Sequence, residues 1–206
     1  MRLILASASP ARLRTLRTAG LDPEVLVSGV DESTVTADRV PDLAERLAWL
    51  KAEAAASRLT MDERPTVVVG CDSLLDLDGV AYGKPGSAAE AEARWQRMRN
   101  RSGVLHTGHQ VLLRRDGTEH ARSAVASTTV HFADLSDAEI RAYVATGEPL
   151  QVAGAFTVDG LGGPFVTAIE GDYHNVVGIS LPLLRDLLGD LGVGWPDLWG
   201  RALKGC

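Results

Sequence analysis

Cysteine is scarce in this 206-residue chain. There are only two, Cys71 and Cys206, far apart and in no CxxC or Cys/His spacing. That excludes a disulfide framework and a structural zinc site. It fits a reduced, cytoplasmic setting. Long hydrophobic runs are absent as well: none approaches the roughly 20 residues that a membrane-spanning helix needs. Three large apolar residues stand before the first serines, too few for a signal-peptide core. Positive charge is in the minority, with 21 Lys and Arg against 27 Asp and Glu, a net charge of −6. Such a chain does not coat a nucleic-acid polymer or an anionic membrane. An anionic ligand must instead meet a local positive pocket. There is no repeat, linker or low-complexity segment, so residues 1–206 are read as one domain.

What is present alternates between two periodicities. "RLILA" reads as a short buried strand and "EVLVS" as a second. Between them Ser9, Pro10 and Gly20 mark a helix over residues 10–19. "DLAERLAWLKAEAAASRL" reads as a longer helix with Leu43, Leu47, Leu50 and Ala54 on one stripe. "TVVVGCDSLLDL" is apolar almost throughout, the pattern of a central strand buried on both faces. Ser87 with Glu90, and Ser136 with Glu139, open two further helices as capping boxes. Two β-rich runs flank Asp116-Gly117, a hairpin signal. "LPLLRDLLGDLG" closes the pattern as an amphipathic helix. The fold class that follows is α/β with a mixed sheet flanked by helices.

The first helix carries charge of the wrong sign. Arg12 falls in its first turn, where the free N–H groups already make the helix end positive. The two later helices place Glu at the equivalent position. A docked anion relieves the conflict, held by helix N–H groups, the Ser7 and Ser9 hydroxyls and Arg12. A basic surface helix is the plainer alternative.

Three acids stand out. "GVDES" puts Asp31 and Glu32 in a loop. Asp72 interrupts a run that should be buried, where a charge must be paired or must bind a metal. Carboxylates converging near phosphate-binding groups suit Mg²⁺. "GVAYGKP" comes close to a P-loop but fails twice. Three residues separate its glycines instead of four, and Pro85 replaces the hydroxyl residue. Lys84 can still reach a phosphate from a turn, and Lys51 is a second cation at the edge of its helix's stripe. Cys71 in an apolar strand reads as packing rather than as a nucleophile. The tryptophans read as core or interface.

These segments, in this order, resemble the Maf family, relatives of the inosine-triphosphate pyrophosphatases. The resemblance rests on "LASASPARLRTL", "GVDES", "LAERLAWLKAEAAA", "VVVGCDS", "YGKP", "HTGHQVLL", "HFADLSDAEIRAYVATGEPL", "VAGAFTVDGLGGPF" and "GDYHNVVGISLPLL". It implies an elongated mixed sheet with two lobes around a cleft. It also implies hydrolysis of a nucleoside triphosphate between the α and β phosphates, giving the monophosphate and pyrophosphate. A divalent metal, Mg²⁺ or Mn²⁺, and a homodimer are implied with it.

By motif, Ser7, Ser9, Arg12, Lys51 and Lys84 would bind phosphate. Glu32 and Asp72 would hold the metal, and Asp72 would accept the proton. Asp159 aligns with a family position that varies with base preference, and is otherwise a turn aspartate before Gly160. The chain departs from the family pattern at Ala11, at Cys71-Asp72-Ser73, at Asp159 and in "VVGISLPL". The family's septum-inhibitor name carries a rival reading, a nucleotide-binding regulator of cell division with little turnover.

Overall fold

The computed structural model describes residues 1–60 and 64–200. Cys206 lies outside them. The chain runs through β1 (Arg2–Leu5), α1 (Pro10–Thr18), β2 (Glu24–Val25), α2 (Val40–Ala56), β3 (Thr66–Leu77) and β4 (Val80–Tyr82). It continues through α3 (Ala88–Met98), β5 (Ser102–Arg115), β6 (Thr118–Phe132), α4 (Asp137–Ala145), β7 (Val166–Glu170), α5 (Tyr173–Val177) and α6 (Leu181–Asp190).

Among the described residues seven strands form one mixed sheet in the order β2-β1-β3-β5-β6-β7, with β4 also paired to β3. β1 runs parallel to both β2 and β3, and the remaining pairings are antiparallel. The expected α/β class with a mixed sheet and flanking helices is therefore observed. The hairpin falls where Asp116-Gly117 placed it. Both turn residues have positive φ, 52° and 74°, as the tight turn between right-twisted strands requires.

The sheet is long because β3, β5 and β6 are long, and it carries separate cores at its two ends. One core gathers Leu5, Leu16, Val69, Cys71, Val111, Leu184 and Leu188. The other gathers Leu75, Trp95, Met98, Phe132, Ile140 and Tyr143. Trp95 is fully buried and donates its indole N–H to the Ala155 carbonyl at 2.8 Å. Polar side chains separate the two cores: Ser73 and Thr107, 2.9 Å apart, and the buried Asn175.

The α2 stripe differs from the expected one. Leu43, Leu50 and Ala54 are only half-buried. The buried face is Val40, Ala44, Leu47, Ala48, Lys51, Ala52, Ala55 and Ala56. The reason is steric. α2 lies directly on Gly70 of β3 and Gly108 of β5, where a β-carbon would collide with the Ala48 and Ala44 carbonyls. Alanines allow that approach and leucines do not, so the small residues turn inward. The close docking brings Lys51 into the interior rather than to an edge.

β2 is also shorter than "EVLVS" suggested: only Glu24 and Val25 pair, and both are exposed. β1 and β3 form the ladder that orders the chain there.

Candidate active site

β1 pairs with β3 only from Arg2 to Leu5, against Thr66 to Val69. Beyond Leu5 the chain leaves the sheet, and the edge of β3 opens to loops from Gly70 until β4 takes it up again at Leu75. In sheets of this kind ligands bind at the carboxyl ends of parallel strands, where the connecting loops gather. The β1–α1 loop brings Ser7 and Ser9 there, and the loop ahead of α2 brings Glu32.

Asp72 is 7% exposed and points to the α2 side of β3. Its Oδ1 contacts Lys51 Nζ directly. The same ammonium meets Glu32 Oε1 at 2.7 Å. Glu32 itself is half-exposed, at the start of a short 3-10 turn whose N-cap is Asp31. Asp31 turns back on the loop, accepting from the Ser33 N–H at 3.0 Å and the Ser33 hydroxyl at 2.7 Å. Those bonds hold its carboxyl below the usual carboxylate range. Burial pushes the Asp72 carboxyl up, and Lys51 and Arg12 pull against it.

Arg12 is 8% exposed and its side chain is fully engaged. Nε donates to the Gly178 carbonyl at 2.7 Å, and Nη1 to Ser7 Oγ at 3.0 Å and the Cys71 carbonyl at 2.9 Å. Nη2 donates to Ser73 Oγ at 2.9 Å. Every acceptor is neutral. Among the described residues no carboxylate forms an ion pair with it. A buried cation with no carboxylate in direct contact attracts an anion.

Ser9 caps α1, taking the Arg12 N–H at 3.4 Å. With Pro10 lacking an N–H, the helix end offers fewer free donors than its charge pattern suggested. Ser73, itself 2.9 Å from Thr107, and the Gly178 carbonyl seat Arg12 from distant segments and carry no local signal in the sequence.

Lys84 stands apart. It is exposed in the turn after β4, and among the described residues it makes no hydrogen bond or ion pair. Gly83 beside it packs near Leu74, which lies two residues along β3 from Asp72. Asp159 lies on the other side of α1. It faces Arg14 at 3.8 Å and borders an open hollow of about 370 Å³, shared with Ala11, Tyr173 and His174. Cys71 is fully buried and its thiol is pushed up to about 11 by that burial, so it is a packing residue and not a nucleophile.

The family model for the Maf-like protein matches residues 2–191. The chain belongs to the Maf family. Among its relatives is a nucleoside triphosphate pyrophosphatase of Salinispora tropica, 60% identical over 98% of this chain and 88% of that protein. A nucleoside triphosphate pyrophosphatase of Streptomyces coelicolor is 57% identical over 98% of this chain and 96% of that protein. The Ham1 protein of Staphylococcus aureus is a distant structural likeness, with a TM-score of 0.42 and 15% identity over 99% of this chain and 96% of that one. Family membership accounts for the order of the motifs.

Proposed function

We propose that this Maf chain is a nucleoside triphosphate pyrophosphatase that cleaves between the α and β phosphates. The observation that carries the reading is the convergence of Arg12, Lys51 and two acids at the open edge of β3. Buried Arg12 supplies positive charge that no direct ion pair takes up among the described residues. Lys51 supplies a second cation that two carboxylates hold in place. Phosphoryl transfer asks for just this, charge compensation and positioning with little covalent help. The names of the relatives at 60% and 57% identity point the same way.

A divalent cation fits the donor set. Glu32 and Asp72 each place one carboxylate oxygen against the same positive point, and Mg²⁺ is commonly held by one or two carboxylates together with substrate phosphates. Among the described residues no three His, Cys, Asp or Glu side chains gather to make a fuller cage. Mg²⁺ or Mn²⁺ bound by these acids would neutralise phosphate oxygens and lower the pKa of a bound water.

The chain's own residues supply the rest. Asp72, whose carboxyl is raised by burial, is suited to take a proton from the attacking water. Arg12, with Ser7 and Ser9 beside it, draws the phosphates to the end of β1. Lys51 is placed to turn from the acids to a phosphate. Lys84 closes the set from its turn. Asp159, bordering the hollow with the exposed Tyr173, would accept from the amino edge of a purine-like base while the ring lies against tyrosine.

A panel of ordinary and modified nucleoside triphosphates, with Mg²⁺ or Mn²⁺, tests the reading. Pyrophosphate as the first product supports it. Orthophosphate as the first product assigns the site to a phosphatase, and no turnover on any member favours a nucleotide-binding regulator.

A further inference from the structure

Among the described residues no protein group holds the ammonium of Lys84, unlike the side chains of Arg12 and Lys51. Its backbone, however, is held at both ends by one pair of side chains. Arg94 of α3 donates Nη1 to the Gly83 carbonyl at 2.5 Å. Glu90, one turn earlier on the same helix, accepts the Gly86 N–H on Oε2 at 2.7 Å. The two side chains contact each other through Arg94 Nη2 and Glu90 Oε1. The Lys84-Pro85 segment is bracketed between them, with Pro85 itself buried.

Further contacts tighten the seat. The Arg94 guanidinium lies over the Tyr82 ring at 5.1 Å, and Arg97 Nη1 donates to the Tyr82 hydroxyl at 3.2 Å. The Gly83 carbonyl also accepts from the Gly154 N–H at 3.1 Å.

Arg94 is an expensive residue for a merely structural task. It is 8% exposed, and its Nε has no hydrogen-bond partner among the described residues. An apolar side chain packed on Tyr82 would avoid that buried orphan. What an apolar residue cannot do is fix a backbone carbonyl and a carboxylate at once in one plane, which is the guanidinium's particular capacity.

We infer that the Arg94–Glu90 pair is a positioning device for Lys84, setting where the exposed ammonium starts so that it meets a phosphate without a conformational search. The inference rests on the phosphate reading of Lys84. Neither Arg94 nor Glu90 touches substrate in this account; both act through the turn. A lysine on a mobile turn can still bind a triphosphate but rarely stands in the reactive geometry, so the loss falls on kcat more than on KM.

The test is a double-mutant cycle. Arg94→Gln and Glu90→Ala are each made alone and in a Lys84→Ala background, with thermal melting to verify folding and steady-state pyrophosphate release as the readout. The expected result is a kcat loss of roughly 10-fold to 100-fold for Arg94→Gln, and less than about 2-fold further loss when Lys84 is already gone. Glu90 is largely exposed, so Glu90→Ala answers the question should Arg94→Gln melt early.

Equal fractional losses in both backgrounds overturn the device while leaving Lys84 a phosphate ligand. Folded variants with wild-type kcat do the same. Wild-type turnover by Lys84→Ala removes the phosphate reading of Lys84, and the device falls with it.

Discussion

Lys51 and Asp72 form a direct contact in the interior, the ammonium of α2 meeting a carboxylate from the middle of β3. Asp72 would be an isolated buried charge without it. Lys51→Met should therefore leave Asp72 buried with its main compensating charge removed, and its proton affinity should climb further. A carboxyl raised in the folded state costs stability as pH rises from its unfolded value through its folded value. The expected loss is about 3–5 kcal/mol at pH 8, and less at pH 5, in the direction in which Asp72 takes up a proton. Urea denaturation at the two pH values reads it. An equal loss at both would show that Lys51 does not set the charge state of Asp72.

His109 gives a pH effect of the opposite sign. It is fully buried, with Nδ1 against the Thr107 carbonyl at 2.9 Å and Nε2 accepting the Ser180 N–H at 2.9 Å. Burial lowers its pKa to about 4, so it is neutral in the folded state. The unfolded histidine binds a proton near 6.5 and the folded one only near 4. Stability from this residue is full above pH 6.5 and is lost as pH falls toward 4. The loss is on the order of 3 kcal/mol. His109→Gln should flatten the stability profile between those limits, whatever it does to stability at pH 8. A slope unchanged in the variant would contradict the assignment.

Gly108 is the contact that lets α2 lie on the sheet. Gly108→Ala places a methyl group against the Ala44 carbonyl, with no side chain there to move aside. Overpacking of this kind costs about 1–3 kcal/mol, and more when backbone must shift. Because α2 carries Lys51, activity should fall together with the melting temperature. A variant that melts and turns over like the wild type would mean that α2 does not need this approach.

Asp159 is tested by specificity rather than by rate. Asp159→Gln replaces a pure acceptor with a group that also donates. The ranking of bases in a triphosphate panel should change, while Mg²⁺ dependence and the product stay as they are. An unchanged ranking returns Asp159 to a loop aspartate paired with Arg14.

Much of this was legible in the sequence because it is local. Ser9-Pro10 and Ser136 with Glu139 mark helix starts by hydrogen bonds within one turn, and both caps are observed. Asp116-Gly117 marks a hairpin by backbone conformation alone. Asp72 in an apolar run announced a charge that must be paired or bind a metal, and Lys51 pairs with it.

What escaped is set by distant segments. The true buried stripe of α2 depends on Gly70 and Gly108, which lie in other elements. The seat of Arg12 depends on Gly178 and Ser73, 166 and 61 residues away. β7 and α5 are short, exposed in large part, and have no periodicity to declare them. The Arg94–Glu90 bracket around Lys84 is visible as an i, i+4 pair, but its target is a turn whose path only the fold reveals.

The most direct measurement is pyrophosphate release by Asp72→Asn beside the wild type, with the preferred triphosphate at saturating Mg²⁺. Asparagine keeps the shape and still accepts from Lys51, so circular dichroism should show a folded protein. The account predicts a loss of at least about 10³-fold, since both the proton acceptor and a metal-binding charge are gone. Turnover at the wild-type rate by a folded Asp72→Asn protein would contradict it.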